Sequence, residues 1–234
     1  AGIMGAVFGR ISEEQPAYAL MRGAAAGVSE IRKYEPMIVA TTSYDVNTGM
    51  TNSGGEFGRL ARFIGVFSTP ANEDESSHAP TAISMTAPVL LSNPAPRSNE
   101  DKASHANRER VMMFTMPASR FKSVDMVPKP KDARVTIKEL PSQTMAVRTF
   151  NWSLTQSVVT ENLEALLADL ETDPEYTPVL RDEEPRWLVA GYNAPFTLPW
   201  LKTNDVLVEV QERDQNSLES VSLSSAPSLG GTSS

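Results

Sequence analysis

"SEIRKYEPMIVATTSY" occupies residues 29–44, and "VTIKELPSQTMAVRTF" occupies residues 135–150. Laid on each other at Ile31 and Ile137, they match along their length: Arg32 falls on Lys138, Tyr34 on Leu140, Val39 on Met145, Ala40 on Ala146 and Tyr44 on Phe150. Each stretch is a pair of short runs rich in β-branched and aromatic residues, with a proline between them, Pro36 in one and Pro141 in the other. That pattern reads as a hairpin-like pair of strands. A helical pattern follows each pair. "EFGRLARFIGVF" (56–67) comes after the breaker "NSGG"; "TENLEALLADLE" (160–171) carries Leu163, Leu166, Leu167 and Leu170 at helical spacing and stops at Asp173-Pro174. Two strand-like runs close each copy: "AISMTAPVLL" and "RVMMFTMP", then "RWLVAGYNAPF" and "NDVLVEVQE". Ala87-Pro88 and Ala194-Pro195 keep step with the opening match. The chain is therefore read as an α+β fold of two β-β-α-β-β units. A four-stranded unit with a helix on one face leaves its other face bare, so the two units are expected to cover each other by pairing their sheets.

The repeats run over about 29–118 and 135–212. Residues 1–17 form an N-terminal arm, and "PAYALMR" predicts an edge strand leading into the first copy. The ordered domain is expected over 18–215. Residues 216–234, serine-rich with one charged residue, have too little apolar mass to offset their ordering entropy and read as a flexible tail. Two polar loops interrupt the first copy, "TPANEDESSHAP" and "SNPAPRSNEDKASHANRER".

Bulk properties narrow the function. The 234 residues are 40% hydrophobic, enough for a sizeable core. Cysteine is absent, which removes disulfides, thiolate metal sites and cysteine nucleophiles. A net charge of −8 disfavours phosphate backbones and anionic lipid surfaces as partners. No apolar run approaches the roughly 20 residues needed to span a bilayer. The expected setting is soluble and intracellular, in the cytoplasm, or in an organelle such as the chloroplast if Ala1 is a processed N-terminus.

The chemistry-bearing residues are few. His78 and His105 each lie in a polar loop, without a second histidine or carboxylate at metal-ligand spacing. Nucleophile elbows, phosphate-binding glycine loops, H-E-x-x-H and dinucleotide fingerprints are all missing. Met85, Met112, Met113, Met116 and Met145 fall on predicted strands, as core filling or as adaptable binding surface. The first helix is unusual. Phe57, Ala61 and Ile64 share one face, and Leu60, Phe63 and Phe67 an adjoining one, a wider apolar arc than the ~100° a helix needs to sit on a sheet. Part of that surface is expected to stay uncovered, flanked by Arg59 and Arg62. Guanidinium groups beside an apolar floor suit a flat hydrophobic ligand carrying carboxylates.

Taken together, "YEPMIVATT", "FGRLARFIG", "ISMTAPVLL", "VMMFTMP", "VTIKELPSQTMAVRTF" and "AGYNAPFTLPWLKTNDVLVEV" resemble the SOUL/heme-binding protein family over about residues 18–211. The resemblance implies a twisted, mainly antiparallel β-barrel-like fold of two pseudo-repeated halves with helices outside. It also implies non-covalent binding of heme or another tetrapyrrole, for buffering or transport rather than catalysis. In that family the ligand lies in an apolar groove along the first helix, which carries the site onto Phe57, Ala61, Arg62 and Ile64, with Arg59 beside them. The "PFTLPWLK" loop, with Leu198, lies at the rim. No histidine of this chain falls at a matching framework position. Two other functions fit the same features: an interaction subunit, monomeric or part of a complex, that docks a protein through the first helix, or a small hydrolase or dechelating enzyme using a group such as Glu56 or Tyr192.

Overall fold

The structure is a computed structural model that describes residues 11–43, 54–66, 68–92, 110–181, 184–193 and 197–214. His105, Phe67, Ala194 and the serine-rich stretch lie outside the described residues. In chain order the elements are β1 (Tyr18–Arg22), β2 (Glu30–Tyr34), β3 (Met37–Ser43), α1 (Gly54–Ile64), β4 (Asn72–Glu73), β5 (Val89–Ser92), β6 (Val111–Thr115), β7 (Lys129–Pro130), β8 (Thr136–Leu140), β9 (Gln143–Asn151), α2 (Gln156–Glu171), β10 (Tyr176–Pro178), β11 (Leu180–Arg181), β12 (Glu184–Pro185), β13 (Trp187–Gly191) and β14 (Thr203–Glu212).

One antiparallel sheet dominates, in the order β1-β2-β9-β14-β13-β5-β6-β3-β8, with β10 added against β14. The order from β2 to β8 reads the same backwards when β2 exchanges with β8, β3 with β9, β5 with β13 and β6 with β14. That is the pseudo-twofold expected from the repeat, and the register obeys it: Ile31 pairs with Ala146 across one seam, and Ile137 pairs with Ala40 across the other.

The two opening pairs are not hairpins, however. β2 pairs with β1 and β9, while β3 pairs with β6 and β8. The reason lies in the links. A two-residue hairpin turn needs positive φ at a central position. Glu35-Pro36 and Pro141-Ser142 each contain a proline, whose ring holds φ near −65°, and no residue in either link has positive φ. Each copy therefore sends its opening strands to the other copy. The units do not stack sheet on sheet to cover their bare faces. They join edge to edge in one sheet, and the short links bring its two ends together, so it curls into a half-barrel with both helices outside.

Strand alternation sorts the apolar residues into two clusters. On the helix side, Ile31, Ala40, Met112, Phe114, Val206 and Val208 meet Leu60, Phe63 and Ile64 of α1 and Val159, Leu163, Leu166 and Leu170 of α2. On the concave side, Tyr34, Val39, Leu90, Met113, Met145, Leu188 and Leu207 form a second cluster. Of the methionines expected on strands, Met112, Met113 and Met145 are there; Met85 and Met116 lie in irregular segments.

Helix ends follow local chemistry. α2 begins four residues earlier than its leucine pattern indicates, because the Thr155 hydroxyl accepts from the Val158 N–H as its N-cap. At its other end, Arg213 donates to the carbonyls of Leu170 and Asp173 at 3.0 and 2.7 Å. α1 stops at Gly65 rather than continuing to Phe67. Gly65 has φ +86°, and its N–H and that of Val66 both donate to the Ala61 carbonyl. A Cβ there would lie 2.5 Å from Pro70 Cγ. Gly65→Ala should therefore cost about 1–2 kcal/mol for the left-handed backbone alone, with the Pro70 overlap in addition. The expected readout is a lower urea midpoint at unchanged m-value.

The polar segment after α1 is pinned rather than loose. Asn72 is fully buried, donating to the carbonyls of Phe63 and Thr81 at 2.7 and 2.9 Å and accepting from the Thr81 N–H. His78 further along is solvent-facing, 3.4 Å from Glu73.

Candidate functional site

The broad apolar arc of α1 does not remain open. Leu60, Ala61, Phe63 and Ile64 are all at most 2% exposed. β3 and β6 cover one side of the helix, and the irregular segments that carry Ile83, Phe121 and Val127 join the same core, with the Ile83 N–H donating to the Ile64 carbonyl at 3.0 Å. Ala61 and Ile64, expected to floor a ligand groove, are core residues. Phe57 is half-buried and meets Phe114 edge-on, with ring centroids 5.3 Å apart. Arg59 is tied to the body of the protein: it donates to the Thr42 hydroxyl at 2.6 Å and lies 3.8 Å from the Asp132 carboxylate. Arg62 points outward and is exposed. A Cβ placed on Gly58 beside it would meet only the Arg62 guanidinium, 3.9 Å away. Leu198 is half-buried just before a 3-10 turn (Pro199–Leu201) that docks on the end of β9, where the Trp152 N–H donates to the Pro199 carbonyl at 3.1 Å. It belongs to a different element from α1. What α1 leaves uncovered is an outward strip of Gly58 and Arg62, with the edge of Phe57, continued past the helix end by Val66.

The other concavity is on the opposite face of the sheet, and the sequence reading passed over it. A cleft of about 520 Å³, including its open mouth, is floored by Leu90, Met145, Leu188, Ala190 and Leu207 and rimmed by Tyr18, Tyr34 and Tyr192. Behind this rim lies a buried polar cluster. Arg32, 8% exposed, donates to Asp205, 1% exposed, at 2.8 Å and to the Tyr34 hydroxyl at 3.2 Å. It also bonds the Glu30 carboxylate and lies over the Tyr18 ring at 4.8 Å. Asp205 further accepts from Tyr192 Oη and Thr149 Oγ1, both at 2.7 Å. Burial alone would favour a neutral Arg32, but its bonds to Tyr34, Asp205 and Glu30 more than offset this and keep it charged. Burial, and then the Asp205 charge, pushes the Tyr192 phenol far above its ordinary range, and burial also raises Tyr34 despite Arg32. Both stay protonated at neutral pH. Asp205 thus accepts three hydrogen bonds, from Arg32, Thr149 and Tyr192. Glu56 and Tyr192 are on opposite faces of the sheet and do not form a common site.

Strand periodicity held a signal for this cluster. Glu30, Arg32 and Tyr34 alternate on one face of β2, opposite the core residue Ile31, and Asp205 directly precedes the apolar run Val206–Val208. Among the described residues no group of three or more histidines and carboxylates is placed to hold a metal ion. No described helix is long and apolar enough to cross a membrane.

The family model described as "SOUL heme-binding protein" matches residues 13–209. The chain belongs to the SOUL heme-binding protein family, and the two-helix half-barrel agrees with what the resemblance implied. No curated protein matches the chain. Among solved structures it is similar to the cryo-EM structure of the EcmrR–DNA complex in EcmrR-RPo, at 8% identity and a TM-score of 0.48, covering 78% of this chain and 57% of that one. The chain thus spans little more than half of that relative's length. It is also similar to SAV2435 bound to tetraphenylphosphonium (9% identity, TM-score 0.39, 78% of this chain and 93% of that one). A hydrolase encoded by lin2189 from Listeria innocua matches too (10% identity, TM-score 0.42, 79% and 92%).

Proposed function

We propose that this chain binds heme or a related tetrapyrrole non-covalently and without catalysis, as a buffer or carrier, on the outward strip of α1. Family membership supports heme as the ligand class. The observation that carries the location is the pairing of Arg62, an exposed cation, with Gly58, over which only the Arg62 guanidinium stands. A glycine in mid-helix costs about 1 kcal/mol relative to alanine, and packing does not require this one, since a Cβ there would meet only the Arg62 guanidinium at an ordinary contact distance. What the missing side chain provides is a flat place where a ring can approach the backbone, with Arg62 to meet a propionate. The residues present fit a shallowly held porphyrin rather than one ligated deep in the protein. The bound group would supply the light absorption and redox chemistry of its metal; the chain supplies an apolar strip and one cation.

Docking of a protein through the apolar face of α1 has lost its physical basis, because that face is buried. Ile64→Asp is for the same reason a test of folding, not of the groove. The informative experiment is a hemin titration followed in the Soret band. The parent protein should give a saturable change. Arg62→Ala should bind about tenfold more weakly, the low end of what a hydrogen bond to a charged group contributes, with unchanged thermal stability. His78→Ala should bind like the parent. Equal affinities for the Arg62→Ala variant and the parent would remove α1 as the site, and absence of any saturable change would remove tetrapyrrole binding.

A further inference from the structure

We infer that the concave cleft is a second ligand site, separate from the tetrapyrrole surface, and that it takes a neutral, largely apolar small molecule through one carbonyl-type acceptor directed at the Tyr34 hydroxyl. Three observations carry this.

The first is the lining. Of the residues around the cleft, none is charged; apart from the phenols, the polar side chains are Gln15 and Gln143. The rest are aliphatic, thioether, proline and aromatic groups, the composition of a small-molecule pocket, in a shallow cleft whose volume is mostly open mouth. The nearest cation, Arg32, is already matched by Asp205 and Glu30. A dicarboxylate such as heme finds no free cation here, and an ammonium finds no free carboxylate. A neutral molecule is what remains.

The second is an unused donor. The Tyr34 oxygen accepts from the Arg32 guanidinium, so its own proton must go elsewhere. Among the described residues it has no acceptor, although the side chain is more than nine-tenths buried and borders the cleft. Tyr192, on the same rim, spends its proton on Asp205. A buried hydroxyl without an acceptor is costly, and a ligand carbonyl arriving at the rim removes that cost. Arg32 polarises the phenol and makes it the better donor.

The third is a wall built across the mouth. The chain preceding β1 is tied down at Glu14, whose carbonyl accepts from the Ala87 N–H and whose carboxylate accepts from the Ser119 N–H, and again at Ala17, whose carbonyl accepts from the Glu35 N–H. Between these anchors Gln15 and Pro16 border the cleft on one side and an adjoining hollow on the other. The strap gives the ligand a side wall that the open sheet alone does not supply, and Met37, common to both hollows, is an adaptable apolar contact at its foot.

The test uses two neutral naphthalene probes with the whole 234-residue chain. Prodan carries a propionyl carbonyl, and 2-(dimethylamino)naphthalene lacks it. Prodan should bind saturably with a blue-shifted emission. Tyr34→Phe should weaken prodan about three- to tenfold, the worth of one neutral hydrogen bond, and leave the carbonyl-free probe unchanged. Met37→Trp, or Leu140→Trp if the first misfolds by circular dichroism, should fill the cleft and abolish binding of both probes. Arg62→Ala should bind prodan like the parent, and hemin should not displace it. Non-saturable prodan binding, or equal weakening of both probes by Tyr34→Phe, overturns the assignment. Displacement of prodan by hemin would put the tetrapyrrole in the cleft and overturn the separation of the two sites. Loss of hemin binding alone leaves this site standing.

Discussion

Replacing Arg32 by leucine is expected to lower the unfolding free energy by about 3–5 kcal/mol, the usual consequence of stripping one partner from a buried ion pair. Asp205 would keep Tyr192 and Thr149 but lose the only guanidinium bonded to it among the described residues. Its charge would then sit nearly unexposed with two neutral donors for company. The loss spreads across the sheet, because Arg32 is on β2, Asp205 on β14 and Tyr192 just beyond β13. The double variant Arg32→Leu/Asp205→Leu should recover much of the stability, since removing both charges also removes the desolvation they require. Urea unfolding of the four members of this cycle measures the coupling. A single-variant loss under about 1 kcal/mol would mean that water reaches the cluster and that its burial is not felt energetically.

Phe63→Ala should cost about 3–5 kcal/mol. Phe63 is 1% exposed and packs in the helix-side core with Leu60 and Ile64, so truncation leaves a cavity that a curled sheet on one side and a helix backbone on the other cannot close. Its neighbour in sequence, Arg62, is exposed and should be thermally silent when truncated. The contrast separates the two faces of α1: one supports the fold and the other is free to bind. Calorimetric melting of the two variants reads it directly. Similar melting temperatures would show that α1 is held less closely than its burial indicates.

Much of the architecture was written in the repeated pattern around Ile31 and Ile137, because strand periodicity, proline position and helical leucine spacing are local properties. What local pattern could not supply was which strand pairs with which. The prolines at 36 and 141 did carry that information: a link that cannot adopt positive φ cannot close a two-residue hairpin, and the strands must seek partners elsewhere. The site shows the same division. Arg62 was legible as an outward cation on a helix, and it is one. Ala61 and Ile64 were assigned to an open groove because a sheet covers a narrower arc than α1 presents; an irregular segment far along the chain, whose Ile83 N–H bonds the Ile64 carbonyl, joins the sheet in burying the rest. The Arg32–Asp205 cluster went unseen because its members are far apart in sequence and meet only through the exchange of strands.

That exchange bears on how such a chain arises and assembles. Each seam joins a strand of one copy to a strand of the other, Ile31 with Ala146 and Ala40 with Ile137, residues more than ninety positions apart. Early contacts within one copy cannot form either seam, so folding waits on long loop closures and should be slow for a chain of this size. A single copy holds both members of a self-complementary contact. Freed from its twin, it would expose two unpaired strand edges and would find its match in an identical chain about a true twofold axis. Joining the copies in one polypeptide turns that bimolecular encounter into an internal one, at an effective concentration set by the connecting segment rather than by expression level. It also frees the two halves to diverge, so that a charged outer strip can sit on one helix while the other remains devoted to packing.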